Sequence, residues 1–180
     1  MYIDDSPRQG DWIQTFTGRR FHPFDPRPQD VHLEDIAHSL SLQCRYNGHC
    51  RYFYSVAQHS VLTSLLVPTP WALLHDAPEY VVGDLVRPVK RSLLEYRNVE
   101  FRIQMAISER FNLPGVLIPD EVKQADNALL AQEASLLMRP SEDWFLPEPP
   151  SNLPVELFEP WDPKEAKNRF LDRASELGVK

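Results

Sequence analysis

The chain has few cysteines and no long run of apolar residues, and each shortage excludes a class of protein. Its 180 residues include two cysteines, Cys44 and Cys50, whose C-x5-C spacing fits neither a common zinc motif nor a disulfide framework. We therefore expect two reduced thiols in a cytoplasmic protein. No apolar stretch approaches the ~20 residues of a membrane helix, and the acidic, polar start MYIDDSPRQGDW is unlike a secretory signal. A membrane partner is therefore not expected.

Positive charge is also scarce. The formal net charge is −7, and no long basic segment is present. Proteins that bind duplexes tightly usually present a basic surface, because the release of counterions drives their affinity, so we expect no strong nucleic-acid binding. A small anionic ligand would instead need local positive charge, from a metal ion and a few arginines.

The apolar residues that are present follow a helical period between two Pro-rich ends, which predicts an all-α class and a single domain over residues 1–180. We place the core at about 32–140, and we interpret the Pro-rich stretch 139–162 as an arm over the surface. A short hairpin is expected at Thr15–Phe21. The predicted helices run from Leu33 through the apolar position Cys44 to an end at Asn47-Gly48, then over Tyr54–Val67, Trp71 to about Val82, one or two within 86–112, Pro119–Met138 and Pro163 to about Leu177.

The most informative motif is the pair His75-Asp76 in WALLHDAPEYVVGDL. His59 precedes it in SVAQHS, and Asp126 follows it in EVKQADNALLAQE. Two imidazoles and two carboxylates on segments that read as helices predict a metal site with nitrogen and oxygen ligands, suited to Mn²⁺, Fe²⁺, Co²⁺, Ni²⁺ or Zn²⁺. Neighbouring residues point ~100° apart on a helix, so His75 and Asp76 can share a metal only near a helix end or a kink, which Pro78 would provide.

Two further carboxylates follow the pair. Glu79 is spaced to lie one helical turn beyond it, where a side chain can handle the proton of a metal-bound water. Asp84 in VGDL could orient Glu79, His59 or a water molecule next to them. Simpler interpretations exist. Glu79 could be a solvated helix residue, and the ligand role of Asp126 could fall to another acidic residue of its helix: Asp120, Glu121 or Glu133. An adjacent His-Asp pair in an apolar helix is costly unless it is paired, which favours the functional interpretation.

These motifs resemble those of the HD-domain metal-dependent phosphohydrolases. SVAQHS looks like the first-ligand helix, ALLHDAPEYVVGDLVRPVK like the H-D-x-x-E…G-D…P-x-K block of the small 5′-deoxynucleotidase branch, and EVKQADNALLAQE like the last-ligand helix. The segment LEDIAHSLSLQCRYNGH is similar to that of phage dATP triphosphohydrolases, in which case the location would be a host cytoplasm. The resemblance covers about residues 32–140 and implies a compact helical bundle.

The resemblance implies roles for individual residues. The metal ligands would be His59, His75, Asp76 and Asp126. Glu79 would be the general acid/base residue, with Asp84 close to it. Arg45 matches a phosphate-binding arginine and Lys90 the lysine of the P-x-K block. Tyr46 stands where the family has a tryptophan that contacts substrate, and the sequence NGHCRYF also makes His49 a candidate for the pocket.

The expected activity is hydrolysis of deoxynucleotides, with a preference for a dATP-like triphosphate, which could require an additional Mg²⁺. The alternatives are a 5′-deoxynucleotidase, a hydrolase of cyclic nucleotides or alarmones, and a non-catalytic nucleotide-binding HD domain. An interaction module that works through its Pro-rich arms is a further alternative. The family tends to form homo-oligomers, so the resemblance implies one here.

Overall fold

The computed structural model describes residues 6–139, 146–150 and 153–180. Its regular structure in these ranges is mostly helical, which confirms the predicted all-α class. Parts of the Pro-rich arm predicted at 139–162 lie outside the described residues. The helices are α1 (Leu33–Leu42), α2 (Val56–Leu66), α3 (Pro70–Leu74), α4 (Glu79–Val82), α5 (Arg87–Ser92), α6 (Leu94–Arg110), α7 (Asp120–Leu137) and α8 (Pro163–Glu176), with short 3-10 turns at Pro28–Asp30, Arg45–Gly48 and Val155–Phe158.

The predicted hairpin is present. Strands β1 (Ile13–Gln14) and β2 (Arg20–Phe21) pair antiparallel around a turn. The buried Asp35 of α1 accepts hydrogen bonds from the Thr17 backbone N–H at 2.8 Å and from the Thr17 hydroxyl at 3.0 Å. The hairpin is therefore fastened to the helical bundle.

Helix α2 lies at the centre of the fold. Every residue from Val56 to Ser64 is buried, and the helix packs against α1, α3, α7 and α8. Its start is defined by Ser55, whose hydroxyl accepts a hydrogen bond from the backbone N–H of Gln58. Because α2 is enclosed on all sides, its polar side chains must find partners inside the protein.

The first predicted helix ends earlier than expected. Helix α1 stops at Leu42, and Cys44 adopts extended backbone geometry in a β-bridge to Ser55. The prediction that Cys44 continues the helix was wrong, because hydrogen bonds to the segment before α2 replace the helical ones: Arg45 N–H to Tyr54 C=O and Val56 N–H to Gln43 C=O.

The helix predicted from Trp71 to Val82 is interrupted after Leu74 and resumes at Glu79. Pro78 has no N–H for the Leu74 carbonyl, which accepts from Ala77 instead and closes a tighter turn. His75 and Asp76 lie in this turn, as the kink expected at Pro78 requires. Within the described residues, no helix is long and apolar enough to cross a membrane.

The C-terminal part of the chain is held to α2 by Gln58. Its side-chain amide donates to the carbonyls of Leu157 at 2.9 Å and Glu159 at 2.8 Å and accepts from the Trp161 N–H at 3.2 Å. Helix α8 follows, with Asp162 capping its first turn and Pro163 at its first position, as the sequence predicted.

Replacing Gln58 with leucine should lower the free energy of unfolding by about 2–4 kcal/mol, because two carbonyls and one N–H lose their partner inside the protein. Urea denaturation followed by circular dichroism measures the change. Gln124→Leu is the matched control, since Gln124 is exposed on α7; its effect should stay within about 0.5 kcal/mol. Equal effects of the two substitutions would contradict the proposed anchoring.

Candidate metal centre

Four side chains converge where α2, the turn after α3 and helix α7 meet. His59 Nε2 lies 3.2 Å from His75 Nε2 and 3.1 Å from Asp126 Oδ1, and His75 Nε2 lies 3.2 Å from Asp76 Oδ2. His59 Nε2 also lies 3.7 Å from Asp76 Oδ2, and His75 Nε2 lies 4.0 Å from Asp126 Oδ1. The four residues predicted to be ligands are therefore brought together.

Both histidines are oriented by a dedicated acceptor. The His59 ring donates from Nδ1 to Glu133 Oε1 at 2.6 Å, and the His75 ring donates from Nδ1 to the Ala72 carbonyl at 2.8 Å. A carboxylate and a carbonyl can only accept, so these contacts place a hydrogen on each Nδ1 and direct both Nε2 atoms into the cluster. Two imidazoles that face each other in this way present the lone pairs that a cation requires.

The separations suit a small divalent ion. Ligand atoms at metal distances of about 2.0–2.2 Å are roughly 2.8–3.6 Å apart when they are adjacent and roughly 4.2 Å apart when they are opposite. His59, His75 and Asp126 fall within this range and form a group that could hold a metal ion, with Asp76 beside it. Two nitrogens with carboxylate oxygens are a donor set for a divalent transition metal, and the ligand types do not choose among the candidates.

The carboxylates of the cluster are held in their charged form. Burial alone would raise the pKa of Asp126, but hydrogen bonding and charge from His59 lower it to about 2. The pKa of Asp76 is also lowered, because His75, His59 and Arg45 outweigh its burial. In His59, burial and the charge of Arg45 oppose protonation, yet Glu133 and Asp126 raise its pKa to about 9. The cluster therefore attracts a cation, and a proton fills that role on His59 in the metal-free protein.

The sequence analysis did not predict the role of Glu133 in this centre. It was considered only as a rival ligand to Asp126, whereas in the structure it supports His59. Its carboxylate is completely buried and accepts hydrogen bonds from the hydroxyls of Tyr46 at 2.5 Å and Tyr54 at 2.9 Å as well as from His59. The Arg45 Nε lies 3.3 Å from its second oxygen. Burial would raise the pKa of Glu133, but Arg45 and His59 lower it to about 2.

A second missed residue is Gln43, which binds the backbone of Glu79 and of Asp84. Its amide donates to the Glu79 carbonyl at 3.0 Å and accepts from the Asp84 N–H at 3.1 Å. No sequence motif indicated it, because its partners follow α3 while Gln43 follows α1.

Glu79 and Asp84 line a cavity of about 820 Å³ that opens beside the cluster. Glu79 is 5% exposed, and its Oε2 has no hydrogen-bond partner among the described residues. Burial, followed by repulsion from Asp76 and Asp84, raises the pKa of Glu79 well above its ordinary value. Burial also raises the pKa of Asp84. Glu79 thus combines a buried position with an affinity for a proton.

The residues expected to contact substrate also line this cavity: Arg45, Tyr46, His49 and Lys90. Arg45 and Lys90 also form ion pairs within the protein. The Arg45 guanidinium lies 3.4 Å from Asp76 Oδ2, in addition to its contact with Glu133. Lys90 Nζ lies 2.5 Å from Glu100 Oε1 and 3.7 Å from Glu79 Oε1.

The fold and the centre together define an all-α protein with a candidate His-His-Asp metal site. The chain is 39% identical over 173 residues to the uncharacterized protein YfdR of Escherichia coli, covering 92% of this chain and 95% of YfdR. It is 40% identical over 147 residues to the uncharacterized protein RCAP_rcc00048 of Rhodobacter capsulatus, covering 73% of this chain and 75% of that protein. The chain belongs to the family that these proteins represent. No model of a known protein family matches the chain.

Metal binding should strengthen as the pH rises from 6 to 8.5. The pKa of His59 in the metal-free protein is about 9, so a metal ion must displace a proton below that pH. One displaced proton corresponds to roughly a tenfold gain in apparent affinity per pH unit. Calorimetric titration with Mn²⁺ in buffers of different ionisation enthalpy measures both the affinity and the proton released. An affinity independent of pH over this range would contradict the assignment of His59 as a ligand.

Glu133→Gln should weaken metal binding by roughly 10–100-fold, because a neutral amide holds the His59 ring less firmly and does not compensate the charge of the cation. The measurement is the dissociation constant for Mn²⁺ at fixed pH. Glu121→Gln on the exposed side of the same helix is the matched control and should leave the constant unchanged. A Glu133→Gln protein that folds and binds metal normally would exclude this supporting role.

Proposed function

We propose that this chain is a metal-dependent phosphohydrolase of the HD-domain type that acts on deoxynucleotides. The observation that carries the proposal is the position of Glu79 and Asp84 in the same cavity as the cluster of His59, His75 and Asp126. The site thus combines a candidate metal centre with a buried proton carrier and open space for a substrate. The motif resemblance supports the same reaction class.

The proposed division of labour assigns one task to each group. A divalent ion held by the cluster would supply Lewis acidity, polarising a phosphoryl group and making water a stronger nucleophile. Glu79 is buried, and its burial together with repulsion from Asp76 raises its pKa well above its ordinary value, which suits it to give a proton to the leaving oxygen. The Gln43 amide holds the segment from Glu79 to Asp84 through the Glu79 carbonyl and the Asp84 N–H.

Positive charge on α5 favours an anionic substrate. Arg87, Lys90 and Arg91 all line the cavity, and Arg87 is more than half exposed. Three cations along one edge suit a chain of phosphates better than a single phosphate, so we favour a deoxynucleoside triphosphate. The alternative substrate is a deoxynucleoside monophosphate, supported by the ion pair that joins Lys90 to Glu100. A homo-oligomer stays a prediction from the resemblance.

The function is tested by incubating the chain with deoxynucleoside mono- and triphosphates and with Mn²⁺, Co²⁺, Ni²⁺, Zn²⁺ or Mg²⁺. Chromatography of the products separates the possibilities, because a triphosphohydrolase releases tripolyphosphate and a nucleotidase releases phosphate. Within this screen, Asp76→Ala should lose metal and turnover together. Glu79→Gln should keep the metal and lose at least about 100-fold in kcat, because it lacks the transferable proton.

Glu121→Gln serves again as the surface control and should retain both metal and turnover. Metal content is measured on each purified variant, so the loss of turnover by Glu79→Gln can be separated from loss of the ion. Full activity of Glu79→Gln would remove its proton-transfer role. Absence of any product from every nucleotide with every metal would overturn the proposed function.

A further inference from the structure

The cavity beside the metal centre is lined by charged and by apolar side chains. The cations of α5 line it, as described above, with Leu85, Val86 and Pro88 next to them. Apolar side chains also come from a second part of the chain: Leu130 on α7, Met138 just after α7, and the segment Leu146-Pro147. We refer to Leu130, Met138 and Leu146 as the apolar wall. A pocket with this division suits a ligand that is anionic at one end and apolar at the other.

Two of the three side chains of the apolar wall line the cavity without packing against the protein core. Leu130 and Leu146 are each half-buried, yet in the ranges the structure describes neither belongs to the hydrophobic core nor packs against it. Met138 packs against the core and also lines the cavity. Their apolar surface is therefore available to a ligand, and burying it there would be favourable at about 25 cal/mol per Å².

Tyr46 also lines the cavity, but its ring already has a structural role. Its hydroxyl donates to Glu133, and the Arg45 guanidinium lies 5.3 Å from the centre of its ring. These two contacts hold the ring in this arrangement. A flat ligand group therefore has better access to the apolar wall than to Tyr46.

We propose that the apolar wall binds the base of the nucleotide, while the phosphates lie against the metal centre and α5. This inference rests on the proposed function for the identity of the ligand. Because these three side chains offer no strong hydrogen-bond donors or acceptors, they hold a base by contact rather than by reading its edges. The wall should thus make binding depend strongly on the presence of a base and less on which base it is.

The test compares ligands with and without a base on the full, Mn²⁺-loaded chain. The probes are dATP and inorganic tripolyphosphate, together with dAMP and 2-deoxyribose 5-phosphate. Leu130→Ser should weaken the binding of both nucleotides by roughly tenfold, as loss of an apolar contact usually does, and change the binding of the two base-free probes less than twofold. Measuring dissociation constants in a Glu79→Gln background suppresses turnover, and KM values in the otherwise native chain provide the comparison.

Leu117→Ser is the matched control, since Leu117 is 72% exposed and does not line the cavity, and it should change none of the four constants. Leu130→Met should restore nucleotide binding. If Leu130→Ser does not fold, Leu146→Ser provides the same comparison. If Leu130→Ser weakened the binding of probes with and without a base equally, or weakened neither, the proposal that the apolar wall binds the base would be wrong. If the chain hydrolysed no nucleotide but its binding of nucleotides still depended on Leu130, the proposed function would be wrong and the proposed base-binding role of the apolar wall would be supported.

Discussion

The hydrogen bond from the His59 ring to the buried Glu133 carboxylate is the constraint on which the rest of the centre depends. A carboxylate without solvent is costly unless its oxygens are satisfied, and here two tyrosine hydroxyls, an imidazole and a guanidinium surround it. These partners come from α2 and from the segment between α1 and α2, while Glu133 itself lies on α7. One buried charge therefore joins three parts of the chain and directs the His59 lone pair toward the cluster.

Local signals made much of the architecture predictable. The helix start at Asp162 follows from a side chain that caps the helix within the next turn, and the His75-Asp76 pair carries its own reason for a kink in Pro78. The candidate ligands were predictable because metal-binding residue types are costly inside apolar segments. The cap and the kink each involve residues that are neighbours in sequence, and each ligand position could be recognised from its own segment, so no knowledge of the packed structure was needed.

Glu133 and Gln43 could not be assigned in this way. A glutamate between alanine and glutamine on a long helix usually faces water, and only the packing of α7 onto α2 shows that this one is enclosed. The prediction for Cys44 was wrong for a related reason. Its spacing fits the helical period of α1, but pairing with the chain before α2 imposes extended geometry. Long-range pairing outweighed local periodicity at these positions.

The turn between α3 and α4 limits insertions and deletions in this part of the sequence. Since His75 closes α3 and Glu79 opens α4, the relative directions of the two side chains are fixed by the few bonds between them. A codon gained or lost there would turn Glu79 away from the cluster while leaving both helices intact. Insertions and deletions are therefore compatible with this centre in connections remote from the turn. Within the turn itself, only the substitution of one side chain for another preserves the geometry.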